Sequence, residues 1–261
     1  MNNLVIGNTS QLSYYFPESY EKISSRDLDI EKIKEKKYQS IYLLFAEQRT
    51  FLNENLDFFT KVNFDYTIKV IDELKDITER IVIYSTSELW NNYDRCVTLK
   101  DSYNYNETPY IKSKEILCNY INDNREKYNN VIIIYPFNFN SIYRKDGFLF
   151  GKIFKSLTTE QKITIGDIDF YRDITHPKII VDYSISTNED LLIGSGELFS
   201  IKKFVHDLFK LYNKNIDDYI SFEESNNLEN KRKGYFSCEK FSTYNNILNL
   251  SLKDIHECKI S

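Results

Sequence analysis

Long apolar runs are missing from this chain. Nowhere do the roughly 18 consecutive apolar residues of a membrane-crossing helix occur, and charged residues make up 28% of the sequence. No membrane partner is expected. Glycine and proline are scarce, 7 and 4 in 261 residues, which excludes collagenous and linker-rich classes. An excess of positive charge is also missing. The 34 Lys and Arg stand against 39 Asp and Glu, a net charge of −5, so no basic surface dominates and no nucleic-acid partner is expected. The four cysteines, Cys96, Cys118, Cys238 and Cys258, are scattered without a CxxC pair. This pattern reads as reduced thiols in a cytoplasm rather than a disulfide frame or a zinc site. No two of the three histidines have metal-ligand spacing, so no catalytic metal is expected. Asn2–Gly7 is too short, and lacks the basic start, for a secretory signal. The expected location is therefore cytoplasmic.

The apolar residues that are present fall into short runs: Leu4–Gly7, Ile41–Phe45, Ile81–Tyr84 and Val131–Tyr135. Each run is continuous and rich in β-branched residues, as in strands of a parallel sheet buried on both faces. The segments between them have helical spacing. In Phe58–Leu74, the residues Phe59, Val62, Tyr66, Val70 and Leu74 recur every three or four positions, and Ile68 and Ile71 widen the stripe. This alternation predicts an α/β fold with a doubly wound parallel sheet. After Pro136 the runs become irregular and are punctuated by Gly147, Gly166, Gly194 and Gly196. Ser200–Tyr212 predicts one clear helix, N-capped by Ser200, with Ile201, Phe204, Val205, Leu208 and Phe209 on one face. Glu223–Lys233 reads as a polar loop. The reading places a nucleotide-type domain over residues 1–135 and a smaller mixed α/β part over 136–261.

Val5–Ser13 reads as a strand, a tight turn and a helix start. A dinucleotide pyrophosphate needs small residues there, because the backbone approaches it and the free N–H groups of a helix N-terminus hold it. Gly7 is the one glycine, followed by Ser10 and Ser13. By itself the segment reads equally as an ordinary strand–helix turn. A second strand should end near Ser24–Asp27. An acidic residue at its tip would accept from a ribose 2′-hydroxyl, whereas Ser25 and Arg26 suit a 2′-phosphate. A solvated turn fits as well.

Thr108–Lys114 begins a helix that places Tyr110 and Lys114 at i and i+4 on one face. A lysine cation beside a phenol favours the phenolate and brings it toward a useful acid/base range. A bare YxxxK also fits a solvated helix face.

Position strengthens the pattern, since Ile81–Tyr84 runs into Ser85-Thr86-Ser87-Glu88-Leu89-Trp90 ahead of Tyr110. Here the chain resembles the extended short-chain dehydrogenase/reductases that act on nucleotide sugars. Ser85–Trp90 resembles their Ser-Ser/Thr-x-x-x-Tyr, and Pro109–Lys114 resembles their Pro-Tyr-x-x-Ser/Thr-Lys. Leu43–Gln48, with Ala46, resembles the strand ending in Ala-Ala that passes the cofactor. Val62-Asn63-Phe64 resembles the family's helix Asn. Tyr135–Asn138 resembles Arg-Pro-x-Asn, Tyr171–His176 resembles Arg-Asp-x-x-His, and Ile193–Ser200 resembles the late Gly-Ser-Gly-x-x-x-Ser. The pieces fall in the family's order over residues 3–255. The compact first turn is most similar to the branch containing dTDP-4-dehydrorhamnose reductases.

The resemblance implies a Rossmann-type fold and a homodimer. It implies NADPH, or NADH, as cofactor and a nucleotide sugar as substrate. Thr86 would hold the substrate oxygen, Tyr110 would be the general acid, and Lys114 would bond the nicotinamide ribose. Gly7, Ser10, Gln11 and Leu12 would lie under the pyrophosphate, with Ala46 beside the cofactor and Ser25 and Arg26 at its 2′ end. Ser87, Asn138, Arg172 and Arg232 would contact the sugar nucleotide. The family's Gly-x-x-Gly-x-x-Gly has serine at positions 10 and 13 here, Tyr135 replaces an Arg, and Trp90 replaces a Tyr. Three functions follow from this resemblance. The first is NADPH-dependent reduction of a nucleotide-linked 4-keto sugar, in the supply of surface-polysaccharide sugars. The second is epimerisation or dehydration with bound NAD. The third is sensing without catalysis. Ser87 interrupts the acid pair that dehydratases place after the Thr and provides no cysteine acid/base, which favours reduction. The Thr86–Tyr110–Lys114 set argues against a sensor.

Overall fold

The computed structural model describes residues 2–144, 147–223 and 234–258. Its central sheet has six strands: β1 (Asn2–Ile6), β2 (Glu21–Ile23), β3 (Tyr38–Leu43), β4 (Thr78–Tyr84), β5 (Val131–Pro136) and β6 (Leu191–Ile193). Their spatial order is β6-β5-β4-β3-β1-β2. The pairings β2–β1, β1–β3, β3–β4 and β4–β5 are all parallel. The runs read as strands are the strands. Leu4, Val5, Ile6, Ile41, Ile81, Val82, Ile83, Ile133 and Ile134 are all buried, as sheet residues covered on both faces must be.

The helices are α1 (Ile30–Lys34), α2 (Leu56–Thr60), α3 (Thr67–Leu74), α4 (Pro109–Asp123), α5 (Leu149–Thr159), α6 (Pro177–Ser186), α7 (Ile201–Leu211) and α8 (Tyr244–Cys258). α4 starts as its sequence dictates, with Thr108 accepting from Ile111 N and Pro109 at the first helical position. α7 matches its expected face, with Ser200 as N-cap and Ile201, Phe204, Val205, Leu208 and Phe209 buried.

Two elements differ from expectation. The helix expected at Ser10 is a five-residue 3₁₀ turn, Gln11–Tyr15. Phe16 then packs on Tyr20 and Tyr42, and the chain enters β2 directly. The predicted helix over Phe58–Leu74 is α2 and α3 joined by a π-helical turn, Lys61–Tyr66. The wider turn rephases the buried face. Asn63 and Thr67 point inward with Phe59, Val70, Ile71 and Leu74, while Val62 and Tyr66 are only half-buried.

The chain divides into two compact units. The first holds residues 1–91, 102–136 and 181–192, and the second holds 92–101, 137–180 and 193–261. A single boundary near Tyr135 therefore differs from the observed division, because 92–101 and 181–192 each belong with the other unit. The second unit is built from α-helices and short strand pairs. Asn138–Phe139 pairs with Ile174–Thr175, Tyr171–Arg172 with Phe199–Ser200, and Ile163–Ile165 with Ile220–Phe222. Cys96–Val97 lies parallel to Phe236–Ser237, and beside that pair Cys96 and Cys238 form a disulfide. The expectation of four reduced thiols is corrected here. Pairing over 142 residues of sequence depends on which strands the fold brings together, and spacing does not reveal it. Among the described residues, no helix is long and apolar enough to cross a membrane.

Candidate active site

In the first unit, β2 lies on one side of β1 and β3 on the other, so the strand order reverses at β1. Ligands of open α/β sheets bind outside the carboxyl ends of strands at such a point. Gly7 ends β1 there with φ +112°. A Cβ on it would lie 3.2 Å from Leu44 C and Cβ and from Phe45 N, so the neighbouring strand end itself requires glycine. Ser10 caps the 3₁₀ turn, its Oγ accepting from Leu12 N at 3.4 Å, and Gln11, Leu12 and Ser13 are buried on it. Ser25 and Arg26 follow the end of β2. Tyr66 donates to Ser25 O at 2.9 Å, and Arg26 is exposed.

Ala46 is half-buried beyond β3. The next residue, Glu47, is held by Asn63: Asn63 Oδ1 accepts from Glu47 N at 2.7 Å, and Nδ2 donates to Glu47 O at 3.0 Å. Nδ2 also donates to Ser113 Oγ at 3.0 Å, and Ser113 Oγ donates to Tyr110 O at 2.6 Å. One buried asparagine on the π turn thus ties the cofactor side of β3 to the first turn of α4. The Arg49 guanidinium beside Glu47 holds that carboxyl below the usual range.

At the end of β4, Thr86 caps the turn Ser87–Trp90, its Oγ1 accepting from Glu88 N at 3.2 Å. Thr86 and Ser87 are buried, and Tyr110 is half-buried with its ring 6.1 Å from Phe59. Lys114 is 2% exposed and donates from Nζ to Tyr84 O at 2.9 Å, fastening α4 to the end of β4 two residues before Thr86. That is one acceptor for three N–H donors. Burial pulls its pKa down to about 8. Behind it, Cys118 donates to Ser85 Oγ at 3.1 Å, and Tyr103 and Tyr135 hydroxyls meet at 3.2 Å. Burial raises the Cys118 thiol and both phenols. Cys118 is buried and remains a free thiol. The two tyrosines were not legible as a pair, because 32 residues separate them in sequence.

Thr86 follows the carboxyl end of the interior strand β4, to which Lys114 ties the helix that carries Tyr110, while Gly7, Ser10, Gln11 and Leu12 lie in the turn after β1. Residues 30–244 match the family described as GDP-mannose 4,6 dehydratase. The chain belongs to that family. No curated protein matches the sequence. Solved structures similar in fold include dTDP-glucose 4,6-dehydratase from Bacillus anthracis in complex with NAD. That match has TM-score 0.75 and 16% identity, over 100% of this chain and 98% of that one. UDP-glucuronic acid 4-epimerase from Bacillus cereus, in complex with UDP-glucuronic acid and NAD, matches with TM-score 0.74 and 15% identity over 99% and 100%. RMD from Pseudomonas aeruginosa complexed with NADPH matches with TM-score 0.71 and 13% identity over 97% and 99%. At such identities these matches show the fold.

Of the residues expected for the substrate in this family member, Ser87 lies in the first unit and Asn138 and Arg172 lie in the second. Asn138 is half-buried in a two-residue strand. Arg172 is exposed, with its guanidinium 4.9 Å over the Phe170 ring and donating to Tyr171 O at 2.8 Å. The neighbouring Asp173 accepts instead from Ser195 N and Oγ, Gly196 N and Ser237 N, at 2.7, 2.5, 3.3 and 3.0 Å. Gly194 is required beside it, since a Cβ there would meet Asp173 Oδ2 at 2.4 Å. His176 is fully buried and bonded to Asp254 at 3.0 Å, a structural pair. Arg232 lies outside the described residues.

Proposed function

We propose that this protein reduces the 4-keto group of a nucleotide-linked sugar with NADPH. The observation that carries this reading is Lys114: a fully buried ammonium with a single acceptor, one helical turn after Tyr110 and fixed to the last residue of β4, two residues before Thr86. Its two further donors suit the hydroxyls of a nicotinamide ribose, so the residues present fit that end of a dinucleotide. When bound, the dinucleotide supplies the hydride. Thr86 orients the carbonyl oxygen, and Tyr110 gives its phenolic proton to that oxygen, so the carbonyl becomes a secondary alcohol. Protonated Lys114 favours the tyrosinate left behind until solvent restores the proton. Ser87, Asn138, Arg172 and Arg232 are assigned to the sugar nucleotide, and 136–261 to its binding. Arg172 is free of Asp173 and can hold phosphate oxygens bidentately. Arg26, exposed past β2, is assigned to the 2′-phosphate of NADPH.

A second reading, dehydration or epimerisation with bound NAD, is favoured by the family's description and by Glu88 beside Ser87. Ser87 in place of an acid supports reduction instead. A homodimer through α4 and the 56–74 helix belongs to the same proposal, supported by half-buried Val62, Phe64, Ile68 and Tyr120 on those helices. A cytoplasmic setting, where NADPH is regenerated, also belongs to it. The test is a panel of dTDP-, UDP- and GDP-linked 4-keto sugars scanned for loss of NADPH absorbance. Turnover with one of them supports the reading. Redox-neutral conversion of a 4-hydroxy sugar nucleotide, with no NADPH consumed, moves it to the second.

A further inference from the structure

Trp90 and Tyr135 stand where the family's motifs have Tyr and Arg, and the fold brings the two together. Their rings meet edge-on at 5.4 Å, and the Trp90 ring meets Tyr103 in the same way at 5.1 Å. The Tyr103 and Tyr135 hydroxyls lie 3.2 Å apart, and both also bond the Cys118 sulfur. Cys118 is fully buried, and its thiol donates to Ser85 Oγ at 3.1 Å. Burial raises the thiol, so it keeps the proton that it donates. Ser85 N donates to Ile134 O at 2.8 Å, which fixes its backbone to the neighbouring strand. Ser85 lies between Tyr84, whose carbonyl accepts from Lys114, and Thr86. α4 therefore holds the end of β4 on two consecutive residues, by Lys114 and, one helical turn later, by Cys118. The first bond comes from an ammonium that titrates near pH 8 and that the proposed reaction also employs. The second joins neutral groups that have no part in the chemistry.

We infer that Cys118 is a positioning residue, which acts through Ser85 to hold Thr86 in register with Tyr110 and Lys114. This rests on the reductase reading above and deepens it. Thr86 orients the carbonyl oxygen from the end of β4, whereas Tyr110 delivers the proton from α4. The placing of one element against the other therefore sets the transfer, and a displacement of about 1 Å costs up to about a hundredfold in rate. The thiol makes and breaks no covalent bond.

The test separates positioning from packing. Steady-state kinetics with the nucleotide-linked 4-keto sugar that the parent turns over are compared for Cys118→Ala, Cys118→Ser and Ser85→Ala. Each Ala variant should lower kcat by about five- to thirtyfold and leave KM for the sugar nucleotide and Kd for NADPH within about threefold. Cys118→Ser keeps a donor for Ser85 and should return kcat to within about threefold of the parent. The double Ala variant should lose no more than either single, because both break the same bond. Thermal melts and the emission of Trp90, the chain's single tryptophan, confirm that the cluster stays folded. A folded Cys118→Ala with kcat within about twofold of the parent overturns the inference and leaves the reductase reading standing. A Cys118→Ser no better than Cys118→Ala, or additive losses in the double variant, do the same. A parent that consumes no NADPH but interconverts 4-hydroxy sugar nucleotides overturns the reductase reading instead. The same variants then test Cys118 on that reaction, whose hydride and proton pass through the same three residues. A parent inactive in both reactions overturns the two together.

Discussion

Lys114 is held out of water with one acceptor, and a buried ammonium so placed is unfavourable for the fold. Burial lowers its pKa from the ordinary lysine value of 10.5 to about 8. The folded state therefore binds its proton less tightly than the unfolded chain does. The penalty is present in full below pH 8 and disappears as pH rises from 8 toward 10.5. Lys114→Met should accordingly melt higher than the parent at pH 7, by about 1–3 kcal/mol, and the gain should shrink by pH 10. Thermal unfolding at the two pH values measures it, and a less stable variant at pH 7 contradicts the burial. The same titration sets an alkaline limb on kcat/KM near pH 8, because the free enzyme loses the cation there. A limb near pH 10 would put Lys114 in water. Tyr110→Phe removes the proton donor and keeps the ring, so turnover should fall by about 10²–10⁴ with NADPH binding kept. Near-normal turnover contradicts the assignment. Tyr110 and Lys114 were legible because a helix fixes their i, i+4 relation. The burial of Lys114 was not, because it depends on where β4 ends.

At the scale of elements, the π turn does the most to build the site. It rotates Asn63 inward, where its amide holds both backbone groups of Glu47 and the hydroxyl of Ser113. Asn63→Ala removes the partner of both half-buried Glu47 backbone groups and leaves Ser113 with its bond to Tyr110 O alone. It should lower stability by about 2–4 kcal/mol, read as a lower urea midpoint at unchanged slope. A change within 0.5 kcal/mol, the usual range for an exposed site, would mean that water replaces the amide. The long strands were legible as continuous β-branched runs because both faces of a parallel sheet are dry. The π turn was hidden, since an apolar stripe assumes a constant 3.6-residue period and the inserted residue breaks it. The first turn was only half legible. Ser10 and Ser13 signalled a departure, but the collapse of a helix to five 3₁₀ residues depends on the short return to β2 and on Phe16 packing against Tyr42.

The whole molecule has two units, and only the first announces itself in sequence. The second is assembled from two- and three-residue strand pairs, too short to leave a period, around Asp173 and the Cys96–Cys238 disulfide. A crosslink closing 142 residues restricts the unfolded chain, and its removal should lower stability by about 2–4 kcal/mol. A dithiol reductant should therefore lower the melting temperature of the parent but leave Cys238→Ser unchanged. Equal melting of the parent with and without reductant contradicts a structural bond. The account of the molecule as a reductase meets its most direct test in one labelling measurement. The protein is given hydride-labelled deuterated NADPH and a nucleotide-linked 4-keto sugar, and the product is weighed by mass spectrometry. The account predicts one deuterium at C4, delivered about 10²–10⁴ times more slowly when Tyr110 is replaced by Phe. Product formed without label, from hydride kept within the sugar, would contradict it.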